Sequence, residues 1–392
     1  MCPYTWLDTN VYEAALNRIR FVFDECDDVL VAMSGGKDST VLFHLARTVA
    51  IERGRLPIKV FWLDQEAEWK ATEEYMKGIM YSEEVIPYWW QIPFRLTNSL
   101  SFTDNYLNVW SPDERGLWLR EQDPISLKVS PFPDIDRFKP LSKHIPKACD
   151  TEGKKLVGVL LGLRAVESAN RRACLHFHVR KTYKGIMWQK PLWENIRGFW
   201  PLHDWSDSDI WTAIARNKLA YNRIYDLYYK YGIVGLKMRV SALIHETAWH
   251  SIEPLQQLEP DMYDRYIRRL HGVNTFKHFK DYIIPPSLPM FFKDWTEYRD
   301  YLLQHIIEPE HREIFVRRWK NQVSEQWSKQ HIRELVVNDV DGTINGNSRT
   351  RIRMNRKKLA GGKFETEKRQ RLDRYFAEHT TQSGVERAMD TD

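Results

Sequence analysis

The sequence predicts an α/β fold built on a doubly wound, mainly parallel sheet, and three stretches carry that expectation. Val29-Leu30-Val31-Ala32-Met33 is a short continuous apolar run, the pattern of a strand covered on both faces. A glycine-rich turn, Ser34-Gly35-Gly36-Lys37-Asp38-Ser39, follows at once. Val41, Leu42, Leu45, Ala46 and Val49 then form the broad apolar stripe of a helix, with Gly54 available to end it, and Ile58 to Leu63 reads as a second buried strand. Strand, loop, helix and strand in this order make a βαβ unit, which implies parallel pairing and a right-handed crossover.

The remaining elements are read outward from that unit. Ahead of it, any of Asp8, Thr9 and Asn10 can cap a helix that carries Val11, Ala15, Ile19 and Val22 on one face. From about Thr97 to Thr151 the pattern breaks, with Pro112, Pro124, Pro131, Pro133, Pro140 and Pro146 among aromatic and charged residues, so this stretch is expected to be an insertion near the site. Leu156 to Leu163 returns to a strand, and Arg164 to Arg172 falls where a βα loop and a helix start belong. Ser206, Asp207 or Ser208 can cap a helix carrying Ile210, Trp211, Ile214 and Ala215. The expected division is a nucleotide-binding domain over 1–235 with its insertion at about 97–151, a mainly helical domain over 236–340, and a tail over 341–392. From Arg349 to Arg374 that tail holds eleven Lys or Arg against three acidic residues, behind a turn-rich stretch at 341–347.

Composition narrows the class without naming a function. With 392 residues, 43% hydrophobic and 28% charged, the chain can bury a sizeable core and is not a disordered protein. No apolar run approaches the roughly 18 to 20 residues that span a bilayer, and the N-terminus has no basic segment followed by an apolar one, so the sequence reads as cytoplasmic and without membrane attachment. Cys2, Cys26, Cys149 and Cys174 form no C-x-x-C pair, so no Fe–S cluster is expected. A mixed site from Cys174, His176 and His178 stays open, although His176 and His178 read more simply as structural histidines on one strand face. Net charge is +5 and unevenly placed, with 16 Trp and 18 Tyr, which permits a nucleic-acid partner without requiring one.

The turn after the first strand carries the chemistry. A helix start there gathers backbone N–H groups and the positive end of the helix dipole, and the diglycine lets main chain approach phosphate oxygens with no Cβ in the way. Lys37 adds a point charge, Ser34 and Ser39 add hydroxyls, and Asp38 offers a carboxylate for Mg²⁺ against the phosphates. The turn is not a Walker loop, which places a hydroxyl directly after the lysine where Asp38 stands here. Asp64 ends the second strand, where ligands of open α/β sheets sit, and serves equally well as a helix cap.

Ser34 to Ser39 after a first strand resembles the PP-loop of the adenine nucleotide alpha-hydrolase fold. Two more segments are similar to phosphoadenosine phosphosulfate (PAPS) reductase-like proteins. One is Gly162-Leu163-Arg164-Ala165-Val166-Glu167-Ser168-Ala169-Asn170-Arg171, matching G-x-R-x-x-E-S-x-x-R. The other is Pro201-Leu202-His203-Asp204-Trp205 with Asp209-Ile210-Trp211 and then Tyr221-Asn222-Arg223-Ile224-Tyr225-Asp226. The resemblance implies an adenine nucleotide, ATP or a PAPS-like one, held by residues 34–39, Gly162, Arg164, Glu167 and Ser168, with Mg²⁺ on Asp38. Lys37, Asp38, Arg164 and Arg171 become the expected catalytic groups, the two arginines as planar forks for phosphate or sulfate. A plain i, i+4 charge pair between Glu167 and Arg171 is the competing reading of that segment. Asp204 and Trp205 are expected to be structural, as helix cap and core.

One departure from the family pattern changes the expected reaction. PAPS reductases use a cysteine near the C-terminus, whereas this chain has none after Cys174 and shows Leu236-Lys237-Met238-Arg239-Val240 in that region. The expectation is therefore an enzyme that cleaves ATP between its α- and β-phosphates to activate an acceptor, in nucleic-acid modification or sulfur transfer. The alternatives are a nucleotide-sensing subunit without turnover, and a reductase or sulfurtransferase that borrows thiols from a protein partner. The basic tail would serve a nucleic-acid acceptor, and reads equally as a solvated, partly helical end.

Overall fold

The computed structural model describes residues 8–98, 106–167, 171–172, 175, 183–235, 238, 240, 243–244, 251–270, 273, 287–322 and 324–336. Helix α1 (Val11–Glu25) is capped by Asn10, whose side chain accepts from the Glu13 amide, and it buries Ala15, Ile19 and Val22 as its periodicity requires. Strand β1 (Asp28–Ala32), helix α2 (Lys37–Glu52) and strand β2 (Ile58–Leu63) then form the expected βαβ unit, with β2 buried along its whole length. Helix α3 (Lys70–Met80) and strand β3 (Val85–Trp90) complete one half of the sheet, where Trp62 and Trp89 stack with ring centroids 5.1 Å apart.

Strands β4 (Phe94–Thr97) and β5 (Tyr106–Val109) form a separate two-stranded sheet. A 3₁₀ turn at Pro112–Leu117 and the short helix α4 (Phe138–His144) lead back to strand β6 (Val157–Leu160). Strands β7 (Gln189–Pro191) and β8 (Ile196–Phe199) finish the main sheet, whose order is β3-β2-β1-β6-β8-β7. All neighbours pair in parallel except the β7 edge, which is antiparallel to β8. After β1 the chain winds outward through β2 and β3, then returns to place β6 on β1's other side. That reversal creates a topological switch point between β1 and β6.

Helices α5 (Asp207–Arg216), α6 (Ile224–Lys230), α7 (Ile252–Leu258) and α8 (Pro260–Arg269) follow the sheet. The chain separates into two compact units, residues 1–96 with 106–270, and residues 97–105 with 271–392. The first unit thus runs to Leu270 and not to the expected 235, for a local reason. Glu259 accepts from the amides of Lys70 and Ala71 at 2.8 and 3.0 Å, capping α3, and Arg269 donates to Glu66 at 3.0 Å. In the second unit, α9 (Trp295–His305), α10 (Pro309–Trp319) and α11 (Glu325–Val336) pack around Leu302, Leu303, Phe315, Trp319, Ile332 and Leu335. His331 stacks on Trp319 at 4.2 Å, and Trp319 Nε1 donates to Glu334 at 2.9 Å. Among the described residues no helix is long and apolar enough to cross a membrane.

Gly158 shows how tightly β6 meets α1. A Cβ there would lie 2.7 Å from Val22 Cγ1 and 3.0 Å from Cys26 Sγ. Gly158→Ala is expected to lower stability by about 1–3 kcal/mol through overpacking, measured as a fall in denaturation midpoint at unchanged slope; an unchanged midpoint would contradict this packing.

Candidate functional site

Two loops leave the carboxyl ends of the strands that flank the switch point, and their backbones touch. In the loop after β1, Gly35 takes φ +68°, and a Cβ on it would stand 2.6 Å from Thr72 Cγ2, so only glycine fits. Gly36 is the N-cap of α2 without a side-chain cap bond, which leaves the first amides of a 16-residue helix to other acceptors. In the loop after β6, a Cβ on Gly162 would sit 3.0 Å from the Ser39 nitrogen and 3.1 Å from the Asp38 carbonyl carbon. Gly162 therefore acts by close approach, letting the second loop rest on the first turn of α2.

Hydroxyl groups hold the first loop closed on itself. Ser39 Oγ donates to the Gly36 carbonyl at 3.0 Å and accepts from the Ser34 amide at 3.3 Å, with Ser34 Oγ a further 3.2 Å away. The Ser39 hydroxyl thus serves the turn itself. From the far end of the domain, Asn222 Nδ2 donates to the Gly35 carbonyl at 3.1 Å and to Thr72 Oγ1 at 2.9 Å, while Tyr225 Oη accepts from the Lys37 amide at 2.7 Å. Burial holds the Tyr225 phenol well above its usual range, so it stays neutral as an acceptor.

Four charged groups meet over this scaffold. Arg164 is 1% exposed, with Nε 2.6 Å from Asp38 Oδ1 and Nη2 3.3 Å from Asp207 Oδ1. Lys37 Nζ lies 3.2 Å from the same Asp207 oxygen and 5.6 Å from the centre of the Tyr225 ring. Arg164 is positioned from behind, since its own amide donates to Glu167 Oε2 at 3.2 Å and the next amide, that of Ala165, donates to the His203 carbonyl at 2.8 Å. The Pro201–Trp205 segment thus supports the loop. Within it, Trp205 is buried as expected and donates to the Val11 carbonyl at 3.1 Å, but Asp204 is not the cap. Ser206 caps α5 in a reciprocal box with Asp209, and Asp204 makes a two-pronged pair with Arg18 at 2.6 and 2.7 Å.

Several expected site residues lie elsewhere. Arg171 pairs with Glu167 four residues earlier, the competing reading of that segment, and its side chain is 40% exposed. Ser168, Cys174, His176 and His178 fall outside the described residues. Asp64 is fully buried in a network of its own, accepting from Trp89 Nε1 and Gln91 Nε2 at 2.8 Å each, from the Glu66 amide at 3.0 Å, and from Arg120. With its lone pairs committed to four donors, it orders the turn after β2 and neither meets the loop groups nor caps α3. Glu66 continues the network, accepting from the Trp110 and Leu119 amides at 2.9 and 3.1 Å and from Arg269. Among the described residues no three His, Cys, Asp or Glu side chains gather as a metal site. Sequence reasoning missed Asn222, Tyr225, Thr72 and Asp207 as site residues. For the first two the signal was present in the Tyr-Asn-x-x-Tyr-Asp motif; for Asp207 it was a helix-start acid that the neighbouring serine made unnecessary as a cap.

Known proteins resemble this chain. Residues 28–84 and 117–235 match the model of the phosphoadenosine phosphosulfate reductase domain. An uncharacterized Escherichia coli K12 protein, YbdN, is 27% identical over 327 residues, 77% of each chain. Among solved structures, a PAPS reductase from Candida auris in complex with phosphate aligns at TM-score 0.32 and 11% identity, over 57% of this chain and 93% of that one. A U34-tRNA thiolase, NcsA from Methanococcus maripaludis, aligns at TM-score 0.30 and 14% identity, over 71% of this chain and 83% of that one.

The buried network makes a pH prediction. Burial, with the Asp64 charge nearby, pushes the Glu68 carboxyl from 4.5 to about 8, against the pull of Arg120. The folded chain thus keeps a proton that the unfolded chain loses near 4.5, so this group's stabilising effect is complete below that pH and fades as pH rises through about 8. Glu68→Gln is expected to match the parent near pH 5 and to exceed it in thermal stability at pH 9, checked by calorimetry; equal slopes against pH would contradict the assignment.

Proposed function

The chain belongs to the PAPS reductase-like proteins through the domain at residues 28–84 and 117–235, and from that premise we propose that it binds an adenine nucleotide and cleaves ATP between the α- and β-phosphates to activate an acceptor. One observation carries the proposal: Lys37 and Arg164, from loops on both sides of the switch point, converge on a single oxygen of Asp207 beside the start of α2. Two cations from different strands focused on one oxygen is an arrangement suited to a phosphate, with the helix dipole adding to it.

The residues divide the work. Gly35 and Gly36 open the backbone to phosphate oxygens, Lys37 contributes a point charge and Arg164 a rigid fork that stabilises negative charge as the bridging bond breaks. No protein nucleophile is required, since positioning and electrostatics carry phosphoryl and adenylyl transfer. Mg²⁺ neutralises phosphate charge when bound, and it is satisfied by one or two carboxylates together with phosphate oxygens and water. Asp38, at the start of α2 with its Oδ1 on Arg164, is the loop's own carboxylate for that role. Arg171 and Asp64 have no part in this reading.

Thiol chemistry on the described cysteines is disfavoured. Burial pushes the thiols of Cys26 and Cys149 to about 12, so neither supplies a thiolate near neutral pH. Cys2 and Cys174 lie outside the described residues. A PAPS reduction by Cys26 or Cys149 is therefore not proposed.

Pyrophosphate release tests the reading. Purified protein with ATP and Mg²⁺ is expected to form pyrophosphate, or to do so once its acceptor is supplied. Lys37→Ala should reduce the rate on the order of 100-fold or more. ATP that binds without turnover across acceptor classes would point to a nucleotide sensor, and unchanged activity in Lys37→Ala would remove the loop from the chemistry.

A further inference from the structure

Asp207 has a position that neither its helix nor its neighbours require. It is the first residue of α5, but Ser206 and Asp209 already complete the cap between them. Its carboxylate is engaged instead with Lys37 at 3.2 Å and Arg164 at 3.3 Å, both through Oδ1. Those cations are 8% and 1% exposed at the side chain, whereas Asp207 is 33% exposed and so lies on the open side of the cluster.

We propose that Asp207 is a displaceable counter-ion that stands where a ligand phosphate oxygen binds, and so sets how much negative charge a ligand needs in order to enter. This rests on the phosphate-binding reading above. The charge count supports it: Lys37 and Arg164 are matched one for one by Asp38 and Asp207, so the four side chains carry no net formal charge. The two carboxylates differ in what holds them. Asp38 faces the 1%-exposed Arg164 at 2.6 Å and is itself 17% exposed, while Asp207 is more open and makes two longer contacts. Asp207 is thus the one that yields. Because the capping box fixes the helix backbone without it, its side chain can turn to solvent while α5 stays in place. A polyanion such as a di- or triphosphate recovers both cations at once and offsets the lost pairs. A monophosphate exchanges one anion for another with little gain, so the residue favours longer phosphate chains.

Calorimetry on the full chain tests this with inorganic pyrophosphate, ATP, AMP and adenosine, each with and without Mg²⁺. Without Mg²⁺, Asp207→Asn is expected to bind pyrophosphate and ATP about tenfold tighter or more, to bind AMP with the largest relative gain, and to leave adenosine affinity unchanged. Equal or weaker binding by Asp207→Asn in a variant with the parent's melting temperature would overturn the proposal. Weakening confined to the Mg²⁺ series would also overturn it, by making Asp207 a metal ligand. Lys37→Ala separates the two claims. Parental pyrophosphate affinity in Lys37→Ala would defeat the phosphate-site reading itself, whereas loss of binding there with no gain in Asp207→Asn would defeat only the counter-ion role.

Discussion

The site depends on one steric constraint: two loops from adjacent parallel strands must come within van der Waals contact of each other's backbone. Gly162 permits it, with its missing Cβ directed at the Ser39 nitrogen and the Asp38 carbonyl carbon. A Cβ there would press on α2 backbone and require the two loops to part by a few tenths of an ångström. Gly35 meets the same demand from the other direction, turning in the left-handed region beneath Thr72. The charges therefore come together because main chain is close-packed first, and the ion pairs follow from that packing.

Around this contact the domain acts as a frame that closes in sequence-distant steps. Asn222 and Tyr225, nearly 190 residues after the loop, bond its backbone directly, to the Gly35 carbonyl and the Lys37 amide. The His203 carbonyl holds the second loop through the Ala165 amide. Rigid placement from several elements limits the reorganisation needed when a charged ligand arrives, which is how preorganised sites gain their electrostatic effect. The acidic network after β2 is a separate piece of engineering. Asp64 pairs with Arg120 and Glu66 with Arg269, and the second pair fastens α8 to the turn after β2.

Much of this is legible in the sequence, and the rest is hidden for identifiable reasons. Apolar runs marked β1 and β2 because strands covered on both faces need no polar alternation, and the diglycine turn stood out because few backbones tolerate it. Arg164 was legible only through resemblance. Resemblance puts Arg171 at the site and a strand-end position puts Asp64 there, but their partners hold them elsewhere: Glu167, four residues earlier, pairs with Arg171, and Trp89, Gln91 and Arg120 surround Asp64. Pair geometry of this kind depends on which long-range neighbours arrive, and local pattern does not encode it. The same applies to Asp207, whose helix-start position reads as a cap until Ser206 is seen to do that work.

A crystal structure of the protein with a non-hydrolysable ATP analogue and Mg²⁺ tests the central claim most directly. The phosphate chain is predicted to lie against the Ser34–Ser39 loop, with an oxygen within about 3 Å of Lys37 Nζ and Arg164. Analogue bound elsewhere, with Lys37 and Arg164 still closed on Asp207, would contradict the account.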